Sequence, residues 1–486
     1  MKNKFYITTA IYYVNAAPHI GHAYEKIIAD TIARWHRLKG ENVFFLTGTD
    51  ENAQKNEQAA REQGIEVKKF VDKNSKKFEE LCKKLNISND DFIKTTEKRH
   101  VMVAQNIFKK VYDKGDIYKG FYEGYYCEGC EAFLTEKDLL DGKCPEHNKE
   151  PIWLKEESYF FKLSKYQEQI LKLLKSKDFV IPESKKNEMI SRLENEGLKD
   201  ISVSRTKLDW GIDVPIDKNH KIYVWFDALI NYISALGYPN GNKFKKYWPA
   251  DVHLIGKGIN WFHSVIWPGI LFSANIKQPK NIVVHGYLTV NGQKIGKSLS
   301  NVIDPINLIE KYGVDSLRYF LIREIPFGED GDFSENSLKN RINNELANDL
   351  GNLVSRSLTL VEKFKGKIQG KDELSKKLNL KLINEYMDKF ELHNALSEIW
   401  KFINEVNKYI NDKKPWNLKG KELSNVLYNL LESLRIISIL INPFMPETSE
   451  KINKQLGINK GKLKDYKFIK TKYKIKKGKH LFEKIK

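Results

Sequence analysis

Two short segments, far apart in the chain, carry side chains suited to handling a polyphosphate. His19-Ile20-Gly21-His22 stands where a strand-like run, Lys4 to Tyr13, gives way through Asn15-Ala16-Ala17-Pro18 to a helical pattern. The first turn of a helix offers free backbone N–H groups and the positive end of the dipole, so it favours an anion. His19 and His22, three apart, project from one side of that turn, and two imidazoles beside a phosphate can donate hydrogen bonds to charge that develops there. Gly21 lets a nucleotide ring lie close to the backbone. A pair of capping or surface histidines is the alternative reading. The second segment is Lys294-Ile295-Gly296-Lys297-Ser298, with Gly292 before it and Asn301 after it. Two lysines three apart in a short glycine-containing loop can follow a triphosphate as it becomes leaving pyrophosphate. A solvated basic turn is the alternative.

Cys127-x2-Cys130 and, after 13 residues, Cys144-x2-His147 place three thiols and one imidazole at knuckle spacing. Four such ligands close a tetrahedral Zn2+ site with no open position, so a structural zinc is expected. Disulfides and buried free cysteines are the alternatives.

The elements that must position these groups follow from the apolar pattern. Tyr24, Ile27/Ile28, Thr31/Ile32, Trp35 and Leu38 recur every three or four residues and Gly40 stops the helix; Val43 to Leu46 then runs apolar into Thr47-Gly48-Thr49-Asp50. Strand, helix and strand in that order open a right-handed, doubly wound α/β sheet, which binds ligands at the carboxyl ends of its strands. Residues 116–220 break the rhythm and read as an insertion; strand-like Ile222 to Phe226, Val252 to Ile255 and Ile282 to His285 then complete the sheet. Helical periodicity dominates from about 340. The division expected is 1–115 and 221–295 for the two halves of a Rossmann-type catalytic domain, 116–220 for the insertion with its knuckle at 127–147, 296–340 for the signature loop and a stem-contact region, and 341–486 for an all-α bundle with a basic tail.

The 486 residues suffice for roughly three domains. The 41% apolar and 12% aromatic content excludes a disordered chain. Without a signal-like core or a run of ~20 apolar residues, cytoplasm and no membrane are expected. Lys plus Arg number 82 against 63 acidic residues, a net +19 that suits a polyanionic partner, although 71 of the 82 are lysine and the charge is scattered. Only 460–486 is densely basic, and its interleaved Tyr466, Phe468, Tyr473, Ile475, Leu481 and Phe482 point to a packed segment.

Together the two segments resemble the HIGH and KMSKS signatures of class I aminoacyl-tRNA synthetases. The likeness extends over essentially the whole chain and is to the bacterial-type methionyl-tRNA synthetases, carried also by Thr8-Thr9-Ala10-Ile11-Tyr12-Tyr13-Val14-Asn15, Thr47-Gly48-Thr49-Asp50-Glu51, Tyr223-Val224-Trp225-Phe226-Asp227-Ala228-Leu229 and Gly351-Asn352-Leu353-Val354-Ser355-Arg356. The resemblance implies a ligase that activates L-methionine with ATP and Mg2+ and transfers it to tRNA(Met). It implies catalytic roles for His19, His22, Lys294, Lys297 and Ser298, and nucleotide contacts from His19, Gly21, His22, Lys294, Lys297, His285 and Gly286. It puts the methionine pocket on Ala10, Ile11, Tyr13, Trp225, Ala228, Leu229, Tyr232, Ile259, His263 and Trp267, with Asp50 facing the α-ammonium. An unbranched thioether suits such an aromatic-rich cavity. Zinc on Cys127, Cys130, Cys144 and His147 also belongs to the family, as does anticodon reading through Asn352, Arg356 and Trp416, an exposed Trp being able to stack on an unpaired base.

Several positions depart from the usual family pattern: Ile295 and Gly296 for Met and Ser, Gly258 for Asp, Asn52-Ala53 for His-Gly, and Ala10 for Pro. They read as drift. They also leave, as alternative function, a weakened paralogue that only binds tRNA. The branched-chain synthetases are disfavoured by the absence of room for a large editing insertion. The family often adds a C-terminal dimerisation domain, and since this chain stops after its basic tail, a monomer is expected.

Overall fold

The computed structural model describes residues 3–129, 132–145, 148–206, 208–290, 292–295, 301–468 and 473–485, without the side chains of Ala132, Phe133 and Lys294. At its centre strands β1 (Lys4–Tyr13), β2 (Asn42–Asp50) and β3 (Asp91–Lys94) alternate with helices α1 (Ile20–Lys39), α2 (Val67–Lys84) and α3 (Lys98–Asp113). An insertion follows, built on β4 (Ile117–Cys127), β5 (Ala132–Leu134) and β6 (Ile152–Phe161), with Ile201–Ser202 completing its sheet. Strand β7 (Val180–Ile181), helix α4 (Val224–Leu229) and strands β8 (Val252–Gly256) and β9 (Asn281–His285) complete the catalytic sheet and its cover. Its order is β3-β2-β1-β8-β9-β7, every pair parallel. The order reverses between β1 and β8, so the ligand crevice opens there, above their carboxyl ends.

Two features differ from the sequence reading. The run 222–226 is not a strand of this sheet: Ile222 ends a short strand of a separate small sheet, and Val224–Leu229 is helical. A short apolar run bounded by polar residues fits a buried helix as well as a buried strand, and periodicity cannot separate them. The outer strand comes instead from Val180–Ile181, inside the stretch expected to be insertion, where its backbone pairs with Ile282 and Val283.

Helix α1 is buried almost all round, and one core runs from its side of the sheet through α5 (Val314–Glu324) into a bundle of α6 (Asn352–Lys363), α7 (Leu392–Lys413), α8 (Gly420–Ile441) and α9 (Pro446–Leu456). Helix α8 is long and apolar enough to cross a membrane but is buried within this bundle. The chain from Tyr473 to Ile485 packs on the bundle, with Asn343 bonded to both the N–H and the carbonyl of Ile485. The aromatic interleaving of the basic tail serves that packing.

Fully buried Arg318 of α5 joins the catalytic half to the bundle. Its guanidinium pairs with Asp30 of α1 (2.7 Å) and donates to the carbonyls of Leu85 (3.1 Å), Pro443 (3.0 Å) and Phe444 (2.9 Å). Burial would raise the Asp30 carboxyl, but Arg318, Arg34 and the Ser88 hydroxyl hold it below the usual range.

Candidate active site

His19 is the N-cap of α1, and the two histidines form a reciprocal capping box. The N–H of Gly21 donates to His19 Nδ1 (3.1 Å) and the N–H of His19 donates to His22 Nδ1 (3.0 Å). Each Nδ1 is therefore an acceptor, and each ring carries its proton on Nε2, free to donate onward. Capping thus fixes the tautomer that a hydrogen-bond donor to an anion would need. Burial pushes His19 down to about 4 and holds His22 well below the usual imidazole range, so both rings are neutral donors at pH 7. A Cβ on Gly21 would lie 2.9 Å from His19 Cε1, so this glycine first of all makes room for the capping ring.

The N–H of Ile20 donates to the carbonyl of Ile303 (3.0 Å), bringing the chain just after the second signature onto the first turn of α1. Lys294 lies in the short strand Gln293–Lys294, paired with Thr289. Lys297 and Ser298 lie outside the described residues.

The register of β1 on β2 shifts between Thr8 and Ile11, which frees the N–H of Ala10 from the ladder. That N–H donates to buried Glu25 Oε1 (2.8 Å). A proline at this position would have no such proton. The other Glu25 oxygen meets His285 Nε2 (3.1 Å), whose Nδ1–H donates to the carbonyl of Gly286 (2.7 Å). Gly286 is packed on the backbone of Glu329, where a Cβ would come within 2.0 Å.

Behind this strand end lie the aromatic residues. Tyr232 stacks on His253 (4.1 Å between centroids) and packs against Trp267 (6.1 Å), while Trp225 stacks on Phe262 (3.7 Å) and meets Tyr13 edge-on (6.5 Å). His263 Nδ1–H donates to the carbonyl of Ile259 (3.0 Å), so Nε2 accepts from the Tyr232 hydroxyl (2.7 Å). Ala10, Ala228, Leu229, Tyr232 and Trp267 are buried, and Ile11 and Ile259 pack at the margin of the same apolar cluster. Asp50 ends β2 at the ligand edge and is buried.

Glu25, His253, Phe262 and His100 escaped the sequence reading, and Asp227 was named there without a role of its own. Asp227 accepts from Asn52 Nδ2 (2.8 Å) and meets His100 Nε2 (2.5 Å), while His100 Nδ1 meets the Ser234 hydroxyl (2.8 Å). This buried chain locks the loop after Asp50 to the helix carrying Trp225 and Ala228. A carboxylate inside the apolar run 223–230 was the signal available for it. Asn52 therefore has a bonding role, whereas Gly258 faces only the outer end of the Tyr287 side chain, whose hydroxyl would lie 1.9 Å from a Cβ there and would turn aside for it.

Burial pushes His263 down to about 4. An unfolded histidine binds a proton near 6.5, so between 6.5 and 4 the unfolded chain takes up more protons and stability falls as pH falls through that window. About 2–3 kcal/mol should be lost from this residue by pH 4.5. Urea midpoints in wild type and His263→Gln test this, and identical pH slopes in the two would remove His263 from the account.

At the knuckle, Cys127 pairs across a hairpin with Ala132, and Cys144 bridges to Lys149; both cysteines are buried. Buried Cys127 and Cys144 are soft donors of the kind a zinc knuckle uses. Cys130 and His147 lie outside the described residues, and among the described ones no group of three or more His, Cys, Asp or Glu gathers to hold a metal. The fourth cysteine, Cys82, belongs to α2 and not to the knuckle. In the bundle, Asn352 is exposed at the start of α6, and Arg356, one turn on, donates to Asn411 Oδ1 (2.9 Å). Trp416 is 58% exposed, which removes hydrophobic packing as its main role.

The family model described as tRNA synthetases class I (M) matches residues 5–151 and 137–358, and that described as the anticodon-binding domain of tRNA ligase matches 339–485. The chain is 49% identical to a methionine–tRNA ligase of Caldanaerobacter subterraneus subsp. tengcongensis, covering 100% of this chain and 79% of that relative. It is 48% identical to that of Rickettsia felis, covering 95% and 93%. The Mycobacterium tuberculosis methionyl-tRNA synthetase in complex with methionyl-adenylate superposes with a TM-score of 0.95 at 39% identity, covering 99% of this chain and 100% of that one; its apo form gives 0.88 at 37%, covering 100% and 99%.

Proposed function

The chain belongs to the methionine–tRNA ligases, class I aminoacyl-tRNA synthetases, and we propose that its residues divide the reaction as follows. The enzyme activates methionine with ATP to methionyl-adenylate and pyrophosphate, then transfers the methionyl group to the 3′-terminal adenosine of tRNA(Met) with release of AMP. Asp50 holds the α-ammonium. The side chain enters the cavity of Ala10, Ile11, Tyr13, Trp225, Ala228, Leu229, Tyr232, Ile259, His263 and Trp267, where sulfur–aromatic contacts contribute about 0.3–1.5 kcal/mol each. The methionine carboxylate attacks the α-phosphate in line. His19 and His22 donate from Nε2 to the phosphate, with Gly21, His285 and Gly286 along the nucleotide, while Lys294, Lys297 and Ser298 take the leaving pyrophosphate. No protein nucleophile is needed, since positioning and electrostatics carry the step. Mg2+ accompanies ATP.

The observation that carries this reading is the hydrogen bond from Ile20 N–H to Ile303, which brings the chain that follows the second signature onto the turn bearing the two imidazoles. ATP–pyrophosphate exchange with each of the twenty amino acids tests it. Exchange with methionine alone is expected, and exchange with a different amino acid would reject the pocket.

Cys127, Cys130, Cys144 and His147 would hold zinc, which supplies a structural cross-link for an insertion with little core of its own. Cys144→Ser should lower bound zinc from ~1 per chain to near none by atomic emission; full zinc in the variant would remove Cys144 from the ligand set. Asn352 and Arg356 meet base edges of the anticodon, and Trp416 stacks on one of its bases, which the exposure of that indole supports. We place the reaction in the cytoplasm.

A further inference from the structure

Lys26 has no part in the mechanism above, yet it is wholly buried, one helical turn below His22 in α1. Its Nζ donates to Thr47 Oγ1 (2.8 Å) and lies 4.7 Å over the ring of Tyr12 and 5.8 Å over that of Phe92. Tyr12 in turn meets His22 edge-on at 4.8 Å, so one aromatic ring separates the ammonium from the second signature histidine. Because Thr47 receives the lysine proton, its own hydroxyl is turned to Thr9 (2.7 Å), whose hydroxyl caps the Ala10 carbonyl (2.7 Å) at the bulge.

Among the described residues no carboxylate forms an ion pair with this ammonium. On its own helix, Asp30 is taken by Arg318 and Arg34, and Glu25 by Ala10 and His285. From α2, Glu79 pairs with Lys94, and burial pushes the Cys82 thiol up, so no thiolate stands opposite. From the end of β2, Glu51 accepts from Thr96 and Thr49. A buried charge without a counter-charge is costly to the free protein. It is useful where a ligand brings the missing charge, and the end of α1 already favours anions.

We propose that Lys26 is a positioning residue for the nucleotide: it touches no substrate but holds a fixed positive charge behind Tyr12 and His22, balanced only when the polyphosphate binds. This rests on the reading of the α1 end as the nucleotide site. The test compares wild type with Lys26→Met and Lys26→Gln in binding ATP, AMP and adenosine, and in the melting temperature of the ligand-free protein. A charge effect scales with ligand charge. ATP affinity should fall on the order of tenfold, AMP less, and adenosine by under about twofold. The ligand-free Lys26→Met protein should melt above wild type, since an unbalanced buried charge is gone. Equal losses for ATP and adenosine, no loss for either, or ligand-free variants that melt below wild type or fail to fold would each overturn the proposal. Wild type that exchanges pyrophosphate with no amino acid would instead overturn the catalytic reading, and the ligand-charge series would still report on Lys26.

Discussion

Lys297→Ala should lower the kcat of methionine-dependent ATP–pyrophosphate exchange by about 10²- to 10³-fold, the cost of removing one preorganised group that meets transition-state charge. The histidines cannot take over its role. Their Nδ1 atoms are committed to the cap of α1, and burial holds His19 down to about 4, so at pH 7 they donate hydrogen bonds but carry no charge. Lys26 stays behind Tyr12 and touches no substrate, so a protein charge in direct contact with the departing pyrophosphate must come from the second signature, after which the chain returns to α1 through Ile303 and Ile20. The interaction forms as the bond to pyrophosphate breaks, so kcat should fall much more than KM for methionine rises. Exchange kinetics in the variant at saturating methionine and ATP decide it, and a kcat within about threefold of wild type would exclude Lys297 from the step.

Arg318→Met should destabilise the protein by about 3–5 kcal/mol, the range for breaking a buried ion pair by removing one partner. The guanidinium satisfies Asp30 and three carbonyls from two further segments, the end of α2 and the turn after α8. Methionine fills much of the volume and none of these acceptors. A lysine at this position would not suffice either: Arg318→Lys keeps the charge, but a single ammonium cannot span four acceptors in a planar fork. Denaturant unfolding of both variants measures the effect. A loss under about 1 kcal/mol in Arg318→Met would mean that water or Arg34 had replaced the missing donor. Because Asp30 shares α1 with His19 and His22, the same variant should also weaken exchange at temperatures where it remains folded.

What the sequence by itself determined is local. Two histidines at a strand-to-helix junction and a strand ending in Asp50 are each legible because the pattern and its consequence lie within a few residues. The helical bundle was legible for the same reason, through its period of 3.6. Tertiary structure decided whatever depends on which distant residue arrives as neighbour. The run 222–226 became a helix and Val180–Ile181 the outer strand, since an apolar run has no preference until its neighbours are known. The neutral state of His19 and His263 follows from burial, which spacing cannot report. Ala10 is held by Glu25, Gly258 is shadowed by Tyr287, and Asn52 reaches Asp227 across 175 positions. Lys26 and Arg318 are, in the sequence, two cations among 82; only the fold removes them from water, leaving Arg318 matched to four acceptors and Lys26, among the described residues, without a carboxylate partner.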